Sequence, residues 1–295
     1  MKVLVTGGTG YVGSKVRESL REAGHDVRLL VRQGSEHKVT NSDAYEIVQG
    51  NIFNTNACLR ACDGVAGVVH LVGIIREHRS RGVTFEQYHS VATTNILDAA
   101  RQMGVERFIH MSALGVKQGA RSFYHQTKYA SEQAVKESPL RWTIFRPSLI
   151  FGAGDAFTRQ VISLIQKPIV PLIGGGKSLF QPVALEDTSA CVTAALAMPE
   201  TQGQTFELGG PDRLSFSSIV HKIATAMGRP IKTLNVPMWS VRPPVKIMER
   251  FEAFPLTTDQ LRMLAEDNVC EIDHYVKTFH IEPKSFVRAL PELVK

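Results

Sequence analysis

The sequence predicts an α/β protein with a doubly wound parallel sheet and a smaller, mixed C-terminal lobe. Three observations support this fold class. In the first half of the chain, short apolar runs alternate with amphipathic helical stretches, as in a parallel sheet covered on both faces. A glycine-rich turn joins the first apolar run to the first helical stretch. After about residue 152 the alternation fades and proline and glycine become frequent, which predicts a partly loop-built lobe.

The six apolar runs are predicted as strands, namely Lys2–Thr6, Val27–Val31, Ala44–Gln49, Gly67–Val72, Arg107–Met111 and Trp142–Arg146. Helical periodicity and stop signals predict helices over Tyr11–Glu22, Val91–Gln102, Phe123–Glu137, Ala156–Gln166, Thr188–Met198, Phe216–Met227 and Thr258–Glu266. The predicted domains are therefore residues 1–152 and 153–295, with later strands able to join the sheet of the first domain.

Composition narrows the functional classes. The chain has 295 residues and a net charge of +6, from 34 Lys and Arg against 28 Asp and Glu. This excess is dispersed, so the sequence argues against a nucleic-acid-binding protein. The four cysteines have no neighbouring Cys or His set, so no metal site is predicted. The first strand begins at Lys2 and no apolar run reaches membrane-spanning length, which predicts a cytoplasmic protein without a signal peptide.

The glycine-rich turn predicts a dinucleotide site. Gly7, Gly10 and Gly13 form a Gly-x-x-Gly-x-x-Gly pattern between a strand and a helix. Such a turn lets the backbone approach a pyrophosphate, and the helix N-terminus offers amides and a partial positive charge. The predicted contacts of the phosphates are the turn residues Gly7, Thr9, Gly10, Tyr11, Val12 and Gly13.

The end of the second strand favours NADP(H) as the cofactor, with NAD(H) as the alternative. NAD-binding proteins commonly carry an acidic residue here, whereas Arg32 stands in this chain with Ser35 and Lys38 close behind. A guanidinium matches the geometry of a 2′-phosphate. The competing interpretation is a solvated surface arginine.

Two further strand ends belong to the predicted cofactor site. Asn51 follows the third strand and could bond the adenine amine, and Leu71, Val72 and Gly73 end the fourth strand where the backbone could approach the ribose. Alternatively, these residues only terminate their strands.

A candidate reaction centre follows the fifth strand. Ser112 stands at the end of that strand, and Tyr124 and Lys128 share one face of the next helix at a spacing of four. An adjacent ammonium favours the phenolate, and a phenol so paired is a better proton donor to a carbonyl. Lys128 could also bond the nicotinamide ribose. The competing interpretation is that Tyr124 and Lys128 only hold a cofactor.

These motifs resemble the extended or atypical short-chain dehydrogenase/reductase superfamily. The chain is most similar to relatives of the NAD(P)H-binding accessory subunit of respiratory complex I. The segments that carry this resemblance are Thr6–Gly13, His70–Ile75, Phe108–Gly115, Tyr124–Lys128, Thr143–Gly152, Gln181–Val183, Leu208–Pro211 and Pro255–Leu261.

The resemblance implies that Ser112, Tyr124 and Lys128 match the catalytic positions and that Pro147, Ser148 and Leu149 lie near the nicotinamide. It also implies NADP(H) as the cofactor in many relatives and a variable substrate lobe after Gly152. Ser112 and Tyr124 are closer in sequence than in sugar-nucleotide epimerases of the superfamily, and Ala153 replaces a proline common in those enzymes.

Three functions remain open at this point. The first is an oxidoreductase acting on an unidentified small carbonyl or alcohol. The second is a non-catalytic, cofactor-holding protein that supports a respiratory or related membrane complex, and the third is an epimerase- or dehydratase-like enzyme acting on a nucleotide sugar. The segment Pro237–Phe251 mixes large apolar residues with cations, so it could rest on a membrane surface, dock a partner or form an exposed edge of the lobe.

Overall fold

The computed structural model describes residues 1–251, 254 and 256–295. Pro255, which belongs to one of the segments that carry the family resemblance, lies outside the described residues. The strands are β1 (Lys2–Thr6), β2 (Asp26–Val31), β3 (Glu46–Gln49), β4 (Gly67–His70), β5 (Arg107–Met111), β6 (Arg141–Pro147), β7 (Ile150–Phe151), β8 (Val170–Ile173), β9 (Leu179–Phe180), β10 (Val183–Ala184), β11 (Gln204–Leu208), β12 (Leu214–Ser215) and β13 (Thr233–Val236).

The helices alternate with the strands in the first half of the chain. They are α1 (Tyr11–Glu22), α2 (Thr55–Cys62), α3 (Ala92–Gln102), α4 (Phe123–Glu137), α5 (Ala156–Ile165), α6 (Leu185–Ala195), α7 (Phe216–Ala226), α8 (Met238–Met248), α9 (Thr258–Leu264), α10 (Asp273–Phe279) and α11 (Phe286–Leu293). A π-helical segment, Glu86–Val91, leads directly into α3.

The central sheet confirms the predicted doubly wound fold. Its seven strands lie in the order β11-β6-β5-β4-β1-β2-β3, and β1 pairs in parallel with both β2 and β4. The order reverses beside β1, so the carboxyl ends of β1 and β4 flank the crevice where ligands of such sheets bind. Apolar residues of the sheet and its helices, among them Leu4, Ile96, Phe108 and Ile144, are fully buried in one core.

The chain divides into two compact units, Met1–Arg146 with Thr188–Phe206, and Pro147–Asp187 with Glu207–Lys295. These units differ from the predicted domains because residues 188–206 belong to the first unit. Arg107 accounts for this return: its guanidinium donates to the Ala195 carbonyl and to the Thr201 hydroxyl, each at 2.8 Å. The second unit has its own core, which includes Phe151, Ile219 and Phe286.

The predicted elements agree with the structure to within three residues at each end, and three of the differences are informative. The third strand begins at Glu46 because Ser42–Ala44 forms a 3₁₀ turn. The fourth ends at His70 although the Leu71 amide still donates to the Thr6 carbonyl. The predicted helix Thr188–Met198 begins three residues earlier, at Leu185. Among the described residues no helix is long and apolar enough to cross a bilayer.

Candidate functional site

The glycine turn after β1 is packed too tightly for side chains at two of its three glycines. A Cβ built on Gly13 would lie 2.2 Å from the Gly7 carbonyl oxygen. A Cβ on Gly7, where φ is +78°, would lie 2.9 Å from the Leu71 carbonyl carbon. The Gly10 amide donates to the Gly7 carbonyl at 2.9 Å and closes the turn. The glycines therefore let the turn, α1 and the end of β4 approach one another closely, as a dinucleotide cradle requires.

The N-terminus of α1 suits an anion. Its N-cap is Gly10, which offers no side-chain acceptor, and its first turn has no acidic residue. Gly10 is exposed, whereas Gly13 is buried against the turn. The positive end of the helix dipole is therefore available to a negatively charged group. With the close-packed glycines, this arrangement fits the diphosphate of a dinucleotide.

Arg17 supports the turn from behind, and the motif search missed it. Its guanidinium is buried and donates to the Gly8 carbonyl and to the Thr40 hydroxyl, each at 2.9 Å. It also lies 5.4 Å from the centre of the Tyr45 ring. A cation one helical turn after Gly13, on the face that carries Val16 and Leu20, is the sequence signal that could have identified it.

The residues predicted for the adenosine end are brought together by two aromatic rings. Arg32 is exposed after β2 and donates to the Tyr88 hydroxyl at 3.2 Å. Tyr88 packs edge-to-face on Phe53 at 5.2 Å, and the Phe53 amide donates to Asn51 Oδ1 at 3.1 Å. Ser35 precedes a 3₁₀ turn without capping it by its side chain. Tyr88 and Phe53 were missed because no motif marks them.

The segment after β4 lies against Lys128. A Cβ on Gly73 would be 3.2 Å from Lys128 Nζ and 3.7 Å from His89 Cδ2. Leu71 and Val72 are partly buried beside it. The structure therefore places the predicted ribose segment and the predicted reaction-centre lysine in contact.

Ser112 has a hydroxyl with no partner in the part of the chain that the structure describes. The residue is 4% exposed, its amide donates to the Phe145 carbonyl at 2.7 Å, and its Oγ makes no hydrogen bond. Lys128 is also buried, and its Nζ donates to the Met111 carbonyl at 2.8 Å, directly before Ser112. Both groups are thus held at the carboxyl end of β5.

Burial, and not the charge of Lys128, sets the direction in which the pKa of Tyr124 departs from its ordinary value. Burial raises the pKa of Tyr124 to about 12. Burial also lowers the pKa of Lys128 to about 8, although the nearby Glu132 carboxylate opposes that shift. Desolvation is the largest cause of both shifts, and the Lys128 ammonium donates to the Met111 carbonyl.

His89 is a site residue that sequence reasoning missed. Its Nδ1 lies 2.9 Å from the Thr127 hydroxyl on α4, and its Nε2 lies 3.0 Å from the Ile74 carbonyl after β4. Its ring packs edge-to-face on Tyr124 at 5.2 Å. His89 therefore ties the segment beside Lys128 to the helix that carries Tyr124. Its position in a π-helical segment, a feature frequent at functional sites, is visible only in the structure.

Pro147, Ser148 and Leu149 open the second unit. The Ser148 amide donates to the Leu208 carbonyl at 2.8 Å, and its hydroxyl donates to Asn268 Oδ1 at 2.5 Å. The Leu149 carbonyl accepts from the Val183 amide at 2.9 Å. Their predicted contact with a nicotinamide stays a prediction.

Residues 3–209 match the sequence profile of the NAD dependent epimerase/dehydratase family. The chain belongs to this family. An NAD(P) dinucleotide is typical of the family, and the matched region includes the glycine turn, Ser112, Tyr124 and Lys128. The predicted resemblance is therefore confirmed.

Individual relatives of this family member differ in role. The chain is 30% identical to "NADH dehydrogenase [ubiquinone] 1 alpha subcomplex subunit 9, mitochondrial" of Arabidopsis thaliana, over 92% of this chain and 70% of the relative. It is 27% identical to a ceramide reductase of Caulobacter vibrioides, over 80% of this chain and 73% of the relative.

Solved structures of low identity share the fold. A UDP-glucuronic acid 4-epimerase from Bacillus cereus superposes with a TM-score of 0.75 at 18% identity, covering 99% of this chain and 97% of that chain.

Proposed function

We propose that the chain is an NADP(H)-dependent oxidoreductase that interconverts a carbonyl and an alcohol. The observation that carries this proposal is the buried, unpartnered hydroxyl of Ser112 at the end of β5. Leaving such a hydroxyl unsatisfied costs about 1–3 kcal/mol. A substrate oxygen that accepts its proton would satisfy it, and a protein that only holds a cofactor has no need of it.

Tyr124, Ser112 and Lys128 have different roles in the proposed proton transfer. An NADP(H) cofactor held at this site would supply or accept the hydride at the substrate carbon. In reduction, Tyr124 donates its proton to the carbonyl oxygen as that oxygen becomes an alkoxide, and in oxidation it takes the proton back. A pKa of about 12 keeps the phenol protonated at neutral pH, so the proton that reduction requires is present. Ser112 donates a hydrogen bond to the same oxygen.

Lys128 supplies positive charge to this centre. Its pKa of about 8 leaves it largely protonated at neutral pH, and it lies one turn from Tyr124 on the same helix. The ammonium stabilises the phenolate that remains after proton transfer. Burial strengthens that effect because the charge acts in a medium of low dielectric constant.

The family pattern and the packing of the turn suggest which residues would hold each part of the cofactor. Backbone amides of residues 9–13 would hold the diphosphate, and Arg32 with Ser35 would hold the 2′-phosphate that distinguishes NADP(H) from NAD(H). Asn51 would contact the adenine, and Leu71–Gly73 with Lys128 would contact the riboses. The contact of Pro147–Leu149 with the nicotinamide stays a prediction. The 27% identity to a ceramide reductase supports a reductase more than a sugar epimerase, whose structures here share only the fold.

A turnover assay with NADPH and a panel of carbonyl compounds tests the proposal. Tyr124→Phe and Ser112→Ala should each lower kcat by about 100-fold, because each removes a group that acts on the developing oxyanion. Both variants should retain NADPH binding. Tyr129→Phe, on the same helix, is the matched control and should keep full turnover. Undiminished turnover in Tyr124→Phe would refute the assignment.

A second candidate function is favoured by one comparison. The 30% identity to a subunit of mitochondrial NADH dehydrogenase over 92% of the chain supports a cofactor-holding protein attached to a respiratory or related membrane complex. In that case Tyr124→Phe would leave the association unchanged. Affinity purification from solubilised membranes tests it: recovery with a defined complex is expected, and recovery only as a free monomer would contradict it.

A further inference from the structure

Helix α8 presents a row of exposed apolar side chains. Trp239, Pro243 and Ile247 follow one another at intervals of four residues, so they lie on one face of the helix. Trp239 is 76% exposed and Ile247 57% exposed, although both are residues that normally lie in cores. The opposite face is anchored by Val245, which is 2% exposed. The exposed row is therefore a stable feature of a packed helix.

A row of cations runs beside the apolar row. Arg242 and Lys246 lie four residues apart on α8, Arg250 follows two residues after the helix ends, and all three are exposed. At 100° per residue, the apolar row and the two cations of the helix occupy one continuous arc of its surface. Glu249 is the one acidic residue between positions 229 and 251. The exposed arc thus combines apolar surface with net positive charge.

The two prolines inside α8 affect how deeply such a helix could be buried. Pro243 and Pro244 have no amide hydrogen, so the carbonyls of Trp239 and Ser240 lack their usual donors four residues on. Carbonyls without a helical donor need water or polar headgroups, which the hydrocarbon interior does not provide. The backbone therefore favours a position at a polar boundary.

We propose that this arc of α8 docks on the surface of an anionic lipid bilayer. Trp239 and Ile247 would enter the boundary between headgroups and acyl chains, and the three cations would contact lipid phosphates at the headgroup level. A protein partner fits less well, because protein interfaces are depleted of lysine at their cores whereas Lys246 adjoins the centre of this arc. The docking is independent of the proposed turnover.

Co-sedimentation of the full chain with vesicles tests the proposal. Vesicles of phosphatidylcholine and phosphatidylglycerol should pellet the chain, and vesicles of phosphatidylcholine alone should pellet much less. The double variants Trp239→Ser/Ile247→Ser and Arg242→Gln/Lys246→Gln should each weaken binding by about tenfold or more. Controls are Met103→Ser, at another exposed apolar residue, and Lys277→Gln, at an exposed cation of α10, and both should bind normally.

Tryptophan fluorescence gives a readout that does not depend on the folding of the double variants. The chain has two tryptophans, so a Trp142→Phe background reports Trp239 alone. Its emission should shift to shorter wavelength on mixed vesicles and not on phosphatidylcholine. Absence of both pelleting and shift would overturn the proposal. So would a vesicle-independent dimer that the same double variants abolish, since a second copy would then cover this arc.

Discussion

Arg32 is the side chain on which the choice between NADPH and NADH depends in the proposed site. It is exposed at the end of β2 and its guanidinium is oriented by the Tyr88 hydroxyl at 3.2 Å. Arg32→Ala should weaken NADPH binding by about tenfold or more, because a charge-assisted phosphate contact is lost. NADH binding should change little, since NADH has no 2′-phosphate.

Fluorescence titration with both dinucleotides measures this effect. Arg101→Ala, at an exposed arginine of α3, is the control for the loss of one positive charge. Tighter binding of NADH than NADPH by the wild-type chain would contradict the assignment of Arg32.

Sequence spacing selected Ser112, Tyr124 and Lys128 as candidates, but it did not report the environment of these residues. The spacing of Tyr124 and Lys128 was enough to select them from the sequence. The directions of their pKa shifts depend on how deeply tertiary packing buries each group, and no local pattern reports that depth. The unpartnered hydroxyl of Ser112 is likewise a property of its surroundings.

At the scale of elements, a hydrogen bond between His89 and Thr127 connects the π-helical segment to α4. Its heavy atoms lie 2.9 Å apart, and both residues are buried. His89→Phe keeps an aromatic ring but removes this bond and the bond to Ile74. We expect kcat to fall by about tenfold with KM for NADPH nearly unchanged, because a small displacement of Tyr124 affects the chemical step more than cofactor binding.

A double-mutant cycle separates this coupling from general destabilisation. His89→Phe and Thr127→Val should be non-additive in the free energy of unfolding and in kcat, since they remove the same bond. Thr93→Val is the matched control, because Thr93 bonds His70 instead, and it should be additive with His89→Phe. Additivity of the first pair would show that the bond does not position Tyr124.

The long elements of the first unit were predictable because their periodicity is sustained over many residues. The boundaries of α1 and α4 agree with the structure residue for residue. Four strands of the second unit, β7, β9, β10 and β12, were missed because they have two residues each, too few to establish an alternation. The return of β11 to the sheet depends on a long-range contact that sequence periodicity does not encode.

At the scale of the molecule, three buried histidines of the first unit should make folding sensitive to acid. Burial lowers the pKa of His70 to about 3 and that of His89 to about 2, and it lowers the pKa of His110 well below its ordinary value. In the unfolded chain each histidine titrates near pH 6.5. Below that pH the unfolded state binds protons that the folded state does not, so acid favours unfolding.

The free energy of unfolding should therefore fall as the pH drops below about 6.5, by roughly 1.4 kcal/mol per pH unit for each such histidine. Urea denaturation at a series of pH values measures the slope. His110→Leu should reduce this slope by about one third, because it removes one of these three histidines, which titrate in the unfolded chain. The substitution breaks no hydrogen bond, since neither ring nitrogen of His110 has a partner within the described chain. His221→Gln, at an exposed histidine, should leave it unchanged. A flat profile below pH 6.5 would contradict the prediction.

The proposed cofactor site depends on the close-packed turn of residues 7–13, and titration calorimetry of NADPH into Gly13→Ala tests it most directly. The added methyl cannot fit 2.2 Å from the Gly7 carbonyl, so the turn must open. The wild-type chain should bind NADPH, and Gly13→Ala should bind it at least about tenfold more weakly. Gly24→Ala, which strains a glycine at φ +80° with open space around it, should keep wild-type affinity. Full affinity in Gly13→Ala, or a wild-type chain that binds neither NADPH nor NADH, would contradict the assignment of the site.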